Sequence, residues 1–304
     1  TYILYIMSDF NAKGHLSMIG ANVMWGVMSP VAKTVLATGT ITPLLLTDMR
    51  IAGAAVLFWI AALFTPREHV PPVDLLRLAG AACLGILFNQ GCFIFGVGLS
   101  SPGEASIITT TMPMWVMILA ALILKEPITW KKGGGILLGA TGAIILVSSN
   151  PGNAATGSNP TLGDLLVLTA QLSYALYLTL YRNFIRRYSL ITLMKWMFLF
   201  ATMIAIGPSI PTLLTTAWES ITPASWLGCA YVVAGGTFMA YICVMIGQKN
   251  LRPTIVGMYN YLQPIVAMTI GIYLGYDSFT VWKSIAILLI FSGVYLVTIS
   301  KARH

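Results

Sequence analysis

The stretch from Pro102 to Val147 recurs, in a weaker form, from Pro253 to Thr298. The two copies align without a gap, and the same register extends upstream to further matches. The matched positions are Pro102 with Pro253, Pro113 with Pro264, Met117 with Met268, Glu126 with Asp277, Thr129 with Thr280, Lys132 with Lys283, Gly142 with Gly293, Cys92 with Cys243, and Gly96 with Gly247. A repeat spaced at half the chain length predicts a fold of two similar halves.

The material between the repeated positions is apolar. Only 9% of the 304 residues are charged and 57% are hydrophobic, whereas about a quarter of the residues in a soluble domain are charged. The apolar residues form continuous runs of about 20 residues, the length that a helix needs to cross a bilayer, and they lack the alternation of a membrane β-barrel. The sequence therefore predicts an all-α membrane protein.

We predict ten transmembrane helices, at 15–37, 43–64, 74–98, 102–124, 132–149, 162–183, 190–210, 223–248, 253–275 and 280–300. Prolines at 43, 102, 223 and 253 stand where these helices are predicted to start. The segment 150–160, rich in Gly, Asn, Ser and Pro, is the predicted linker between the halves. The predicted organisation is a terminal segment 1–13, a five-helix repeat 14–149, the linker, a second five-helix repeat 161–300, and a terminal segment 301–304.

Basic residues predict the orientation of these helices. They lie at the chain ends and beside the even-numbered connections, at Lys13, Arg67, Arg77, Lys125, Lys131, Lys132, Arg182, Arg186, Arg187, Lys249, Arg252, Lys301 and Arg303. The positive-inside rule therefore places both termini in the cytoplasm and the linker 150–160 on the opposite side of the membrane. Because five is an odd number, the second repeat enters the membrane inverted. Inverted repeats are typical of secondary transporters, whose substrate site lies near the midplane between the repeats; a structural or assembly protein is the alternative.

Several functional classes are disfavoured. The net charge of +8 comes from scattered residues at span ends, which does not indicate nucleic-acid binding. The cysteines lie inside apolar runs without metal or disulfide spacing, and the histidines lie at segment edges; they are Cys83, Cys92, Cys229, Cys243, His15, His69 and His304. We therefore predict no metal site, no cofactor and no catalytic residue. The expected partners are a small-molecule substrate and the lipid bilayer, and no obligate protein partner is evident.

Polar and aromatic residues at span depth are the candidate substrate site, because such side chains must face protein or water. In the first span they recur every three or four residues, and Gln171 and Tyr174 of the sixth span fall on Asn22 and Trp25. The predicted substrate-binding residues are Asn22, Trp25, Ser29, Lys33, Asn89, Gln90, Thr110, Gln171, Tyr174, Tyr241, Asn260, Tyr261 and Gln263. The alternative is that they only join helices by hydrogen bonds. No acid belongs to the set, so it disfavours a dication and mildly favours zwitterionic or aromatic solutes.

Other residues are predicted to serve gating or structure. Pro113 and Pro264 are expected to kink their helices. Five charged residues are predicted near the outer ends of the spans: Arg50, Glu104, Lys33, Asp48 and Lys283. Their side chains either reach the membrane interface or form ion pairs that close the outer side of a cavity.

The motifs resemble the EamA repeat of the drug/metabolite transporter superfamily. The first half carries Trp25, Gly26, Lys33, Pro43, Arg50, Pro113, Leu124, Lys125, Glu126, Pro127, Gly139 and Gly142, and the second carries Gly163, Asp164, Leu165, Pro264, Asp277 and Gly293. The second half departs from the family pattern, with aspartate in place of the usual glutamate. The resemblance implies a ten-helix transporter in a bacterial inner membrane, with a central cavity and alternating access, similar to exporters of amino acids and other metabolites.

The leading hypothesis is a secondary transporter of a small organic solute, most plausibly an amino acid, aromatic ones included, or a related metabolite, and not an enzyme. A broad-range exporter of drugs or toxic metabolites is the close alternative, because methionine-rich and aromatic surfaces adapt to many ligands. A membrane enzyme acting on lipids is the alternative of another class, but no nucleophile, base and orienting acid converge. A receptor or passive channel also stays open, and no proton relay can be assigned.

Overall fold

The computed structural model describes residues 11–36, 38–99, 108–109, 111–148, 159–273 and 280–300. Helices make up most of this part of the chain. They are α1 (Ala12–Leu36), α2 (Pro43–Ala62), α3 (Pro72–Ala82), π1 (Cys83–Phe88), α4 (Asn89–Leu99), α5 (Met112–Leu124), α6 (Trp130–Ser148), α7 (Pro160–Leu180), α8 (Arg182–Ile185), α9 (Leu190–Thr215), a 3₁₀ turn (Trp218–Ser220), α10 (Pro223–Val233), π2 (Ala234–Met239), α11 (Ala240–Asn250), α12 (Pro253–Met258), a second 3₁₀ turn (Tyr259–Tyr261), α13 (Leu262–Tyr273) and α14 (Val281–Thr298).

Within the described residues, 6 helical stretches are long and apolar enough to cross a membrane. They are Pro43–Ala62, Pro72–Phe93, Thr161–Leu180, Leu190–Thr215, Pro223–Asn250 and Val281–Thr298. Met112–Leu124 is a shorter apolar helix. The prediction of an all-helical, multi-pass membrane protein is confirmed, and the count of ten spans stays a prediction.

Proline marks the helix starts, as predicted from the sequence. Pro43, Pro223 and Pro253 each stand at the beginning of a helix, where the missing N–H would have no partner in any case. The Thr42 side chain also accepts a hydrogen bond from the first turn of α2, which is an N-cap. The fourth such proline, Pro102, lies outside the described residues.

The two π-helical turns occupy the same place in the two repeats. In the register that pairs Cys92 with Cys243, π1 (Cys83–Phe88) falls on π2 (Ala234–Met239) residue for residue. Each π turn interrupts one long helix, with α3 and α4 on either side of π1, and α10 and α11 on either side of π2. The duplication is therefore visible in a local backbone feature.

The packing around these turns repeats as well, with each half contacting the other. A Cβ atom at Gly85 of π1 would lie 2.9 Å from the Tyr177 ring in α7, and one at Gly236 of π2 would lie 2.6 Å from Met28 Sδ in α1. The register that places Gln171 on Asn22 also places Tyr177 on Met28. Equivalent glycines in the two halves therefore admit equivalent side chains from the opposite half.

The last helices of the two repeats, α6 and α14, pack along each other at small residues. A Cβ atom added at Gly135 would lie 2.7 Å from the Gly293 carbonyl oxygen, and one at Gly142 would lie 2.6 Å from that of Ala286. Small residues let helix backbones approach closely, which is the usual basis of helix association in a membrane. The main buried cluster contains residues of both halves, including Ile136 of α6 and Ile290 of α14.

Candidate functional site

Arg50 is a half-buried guanidinium at span depth, and the described part of the chain gives it no acidic partner. It is the eighth residue of α2, about 10 Å along the helix from Pro43. Its Nε donates a hydrogen bond to Thr237 Oγ1 of π2 at 3.1 Å. Among the described ion pairs none involves Arg50. The sequence predicted a gating or structural role near the outer end of a span, but the structure places the side chain against π2.

Aromatic and amide groups lie beside this guanidinium. Gln90 Nε2 donates to Tyr241 Oη at 2.9 Å, while the buried Gln90 Oε1 has no hydrogen-bond partner in the described chain. The Trp25 ring stands edge-on to Tyr241, with 6.0 Å between ring centroids, and Trp25 Nε1 donates to the Gly236 carbonyl of π2 at 2.9 Å. We call Trp25, Arg50, Gln90, Thr237 and Tyr241 the Arg50 cluster. It brings together three of the predicted substrate-binding residues and both repeats.

A second group of predicted residues forms a closed amide cluster between α1 and the start of α13. Gln263 Nε2 donates to Asn22 Oδ1 at 3.0 Å and to Asn260 Oδ1 at 3.3 Å. Asn22 is fully buried and donates to the Met18 carbonyl. These amides satisfy one another, which fits the helix-joining role that the sequence left open.

The remaining predicted residues lie in other contacts. Asn89 Nδ2 donates to the Ala170 carbonyl of α7 at 3.0 Å, and Gln171 is buried on the same helix. Tyr174 Oη accepts from Gln248 Nε2 at 3.4 Å. Tyr261 is 2% exposed and packs over Gly139 of α6, so its ring fills the space between helices instead of facing the Arg50 cluster.

Some predicted positions are not covered. Glu104, Thr110, and the side chains of Ser29 and Lys33 lie outside the described residues. Pro113 lies in the first turn of α5, and the chain before it is only partly described, so its expected kink is not seen within a helix. Pro264 follows the 3₁₀ turn Tyr259–Tyr261, where the regular α geometry is interrupted.

A network of ionic contacts joins the halves around Glu126, at the end that the sequence predicts to be cytoplasmic. Glu126 Oε2 lies 2.8 Å from Lys132 Nζ, and Glu126 Oε1 lies 3.2 Å from Arg182 Nη1 at the end of the sixth predicted span. Thr254 Oγ1, at the start of α12, donates to the same carboxylate at 3.3 Å. Lys132 is only 1% exposed. Its repeat equivalent Lys283, which was expected near an outer interface, is equally buried.

Further polar contacts join the two repeats at the same, predicted cytoplasmic end of the protein. Both Glu68 carboxylate oxygens accept from the Ser189 backbone N–H, at 3.0 and 2.9 Å. Burial raises the pKa of Glu68, but the hydrogen bonds from Thr192 and Ser189 outweigh it, so that pKa lies below its ordinary value. Tyr188 donates to the Asp74 carboxylate, and this hydrogen bond raises the pKa of Tyr188.

Sequence reasoning missed several of these groups. Thr237 and Gln248 carry no pattern that marks them, because each depends on a partner far away in the chain. His15 lies in the first turn of α1, at the segment edge where it was expected, but its contact was not foreseen: it is 5% exposed and its Nδ1 lies 2.6 Å from Tyr259 Oη. Asp48 was expected to reach the interface or form an ion pair, and it is 8% exposed without an ion pair in the described chain.

Known proteins resemble this chain over almost its whole length. The model of the EamA-like transporter family matches residues 12–148 and 161–299. The uncharacterized transporter YyaM of Bacillus subtilis is 22% identical over 284 residues, covering 92% of each chain. The uncharacterized inner membrane transporter YedA of Escherichia coli is 28% identical over 270 residues, covering 85% of this chain and 82% of YedA. Protein PecM of Dickeya dadantii is 24% identical over 240 residues, covering 76% of each.

A solved crystal structure with 17% sequence identity has a TM-score of 0.79 and covers 94% of this chain and 96% of its own. At that identity the similarity shows a shared fold. The family model carries the assignment further, because it matches each half of the chain separately and reproduces the repeat read from the sequence. The protein belongs to the EamA-like transporter family.

Proposed function

We propose that the protein is a secondary transporter of small organic solutes that bear a carboxylate, most plausibly amino acids, aromatic ones included. It exports them by alternating access between two inverted five-helix repeats, 14–149 and 161–300, which together form ten transmembrane helices. The observation that carries the proposal is the Arg50 guanidinium, half-buried between the repeats and without a described acidic partner.

The chemistry of the Arg50 cluster fits a zwitterion. A charged residue at the centre of a membrane helix costs about 3 kcal/mol on insertion scales, and such residues mark substrate pathways. A guanidinium binds a carboxylate with two parallel hydrogen bonds. The unpartnered Gln90 Oε1 can accept from an ammonium group, and the Trp25 and Tyr241 rings offer an apolar surface to a side chain.

The orientation follows from the basic residues. We propose that both termini face the cytoplasm of a bacterium, that the linker 150–160 is periplasmic, and that the membrane is the inner membrane. In this orientation the Glu126 network and the Glu68 contact lie at the cytoplasmic end. Substrate entry from the cytoplasm then requires these contacts between the repeats to open.

Counterflow of labelled phenylalanine into proteoliposomes tests the proposal. Phenylethylamine, which lacks the carboxylate, serves as the matched competitor. We expect exchange of phenylalanine in the wild type, competition by unlabelled phenylalanine, and no competition by phenylethylamine. A passive pore would not show acceleration by solute on the opposite side.

Two substitutions at Arg50 test whether its positive charge binds the carboxylate of the solute. Charge-assisted hydrogen bonds contribute about 1.5 to 3 kcal/mol, so Arg50→Gln should lower exchange by roughly 10- to 100-fold, with a smaller loss for Arg50→Lys. Arg67→Gln is the control, because Arg67 is exposed in a connection.

Unchanged exchange in Arg50→Gln would refute the role of this residue. If no amino acid exchanges even in the wild type, the amino acid assignment falls. The solute panel then moves to drugs and other metabolites, where the broad-range exporter is the alternative.

A further inference from the structure

Asp48 is a buried carboxyl group that the Arg50 cluster does not use. It lies two residues before Arg50 on α2 and contacts α9 instead of π2. The side chain lines a cavity of about 130 Å³ between α2 and α9, whose walls are mostly apolar and include Ile51, Ala205 and Ile206. A carboxylate in such surroundings needs a counter-ion or a proton.

Asp48 has too few described hydrogen-bond donors around it to satisfy a carboxylate. Oδ2 is buried without a partner in the described chain, and the side chain is hydrogen-bonded to the Ser209 hydroxyl. Ser209 Oγ also lies 3.2 Å from the Ala205 carbonyl oxygen, to which it donates. A hydroxyl has a single hydrogen, so Ser209 can donate either to Ala205 or to Asp48, and a carboxylate at Asp48 competes with the helix backbone for that donor. With Oδ2 unpartnered and mostly apolar walls around the side chain, the protonated acid is the favoured form.

No described cation neutralises the group. Arg50 bonds to Thr237 on the other side of α2, and Lys195, the titratable residue of α9, lies over the Trp59 ring toward the far end of α2. The other titratable side chains on described elements packed against α2 are Cys92 of α4 and Cys229 and Tyr231 of α10. Thiols and phenols are neutral at physiological pH and provide no counter-charge.

The contact between Asp48 and Ser209 joins the two repeats where the backbone of α9 is weakened by prolines. Asp48 belongs to the first repeat and Ser209 to the second. Pro208 and Pro211 lie inside α9 on either side of Ser209, and each removes one backbone hydrogen bond from the helix. A movement of α2 against α9 would expose Asp48 to water and make ionisation favourable.

We propose that Asp48 is the proton-binding site that couples transport to the proton gradient. This inference rests on the proposed function. Asp48 takes its proton from the outer side, holds it while it contacts Ser209, and releases it toward the cytoplasm when α2 moves against α9 in the inward-open state. Since the sequence places this end of α2 on the outer side, the proton enters from outside, in exchange for the exported solute.

The first test measures the protonation state of the Asp48 carboxyl group directly, without a transport assay. Infrared spectra of the wild type, Asp48→Asn and Glu219→Gln are recorded in lipid nanodiscs at pH 7, in H₂O and in D₂O. We expect a protonated carboxylic acid C=O band that is lost in Asp48→Asn and retained in the control, because Glu219 is exposed. A spectrum without such a band, or a band unchanged in Asp48→Asn, would overturn the proposal.

The second test measures coupling. Liposomes are loaded with labelled phenylalanine, the membrane potential is held at zero, and the outside is made one pH unit more acidic. With one proton exchanged per solute, the wild type should sustain an about tenfold solute gradient. Asp48→Asn should lose this gradient and Glu219→Gln should keep it. Thermal unfolding shows whether Asp48→Asn, which resembles the neutral acid in shape, is folded.

The outcomes separate the two proposals. Absence of wild-type phenylalanine exchange at equal pH contradicts the proposed function. The infrared band still shows whether Asp48 is protonated, because that measurement does not depend on transport. Exchange that does not respond to the pH gradient, or responds equally in Asp48→Asn, overturns the coupling role alone.

Discussion

Glu126→Gln tests the ionic network that joins the two repeats. The substitution keeps the size of the side chain and removes its charge, which leaves Lys132 buried at 1% exposure without its carboxylate partner. Removing one partner of a buried ion pair costs about 3 to 5 kcal/mol. The Arg182 contact adds less, because that side chain is partly exposed, at 22%, and solvent screening weakens such a pair toward the range of about 0 to 1 kcal/mol found at surfaces. We therefore expect a loss of about 4 kcal/mol.

A double-mutant cycle separates the pair from general disruption. In Glu126→Gln with Lys132→Met the buried cation is gone, so the double variant should recover most of the loss. Lys132→Met alone should be milder than Glu126→Gln, because Glu126 keeps Arg182 and Thr254 as partners. The measured coupling should be roughly 2 to 3 kcal/mol.

The assay is thermal unfolding of the purified protein in detergent, followed by tryptophan fluorescence. Glu126→Gln should lower Tm by about 10 °C, on the scale of 2 to 4 °C for each kcal/mol in chains of similar size. A Tm within about 2 °C of the wild type would refute the assumption that Lys132 depends on this carboxylate. A double variant no more stable than Glu126→Gln would refute the explanation by a stranded charge.

Three further predictions concern separate parts of the fold. Gly142→Ala should lower the free energy of unfolding by about 1 to 3 kcal/mol, because its Cβ would lie 2.6 Å from the Ala286 carbonyl oxygen; Gly133→Ala, with open space at this position, should not, and the same unfolding assay compares them. Trp25→Phe keeps a ring but removes the donor to π2, so it should cost about 1 kcal/mol in that assay. Glu68→Gln should be slightly destabilising at pH 7, measured as Tm against pH. Since the folded pKa is lowered, the contribution of the carboxylate is present above the ordinary glutamate pKa and disappears as pH falls through the lowered value. A Tm difference between variant and wild type that does not shrink as the pH is lowered would contradict this.

The register of the repeat could be predicted from the sequence because it depends on identities at fixed spacing. The alignment paired Gly96 with Gly247, and in the structure each of these glycines lies against a helix of the other half, beside Val167 and Met18 respectively. The π turns could not be predicted, because these helices are apolar on most sides and carry no period that an added residue would disturb.

The site was predicted in part. Trp25, Gln90 and Tyr241 were identified as polar or aromatic groups at span depth, and the structure brings them together. Tyr261 was placed with them, but its ring packs over Gly139, a contact between helices far apart in the chain. That no described acid lies beside Arg50 could not be predicted, because the spatial neighbours of a residue depend on the fold and cannot be read from a single sequence.

The paired π turns bear on the history of the chain. A π turn accommodates one residue more than the regular helix around it, so its simplest origin is the insertion of a single codon. Here π1 (Cys83–Phe88) and π2 (Ala234–Met239) coincide in the register of the repeat, with no gap between the flanking helices. Two independent insertions would have had to occur at the same position. The parsimonious order of events is that the extra residue entered an ancestral half-length gene, and that the duplication copied it.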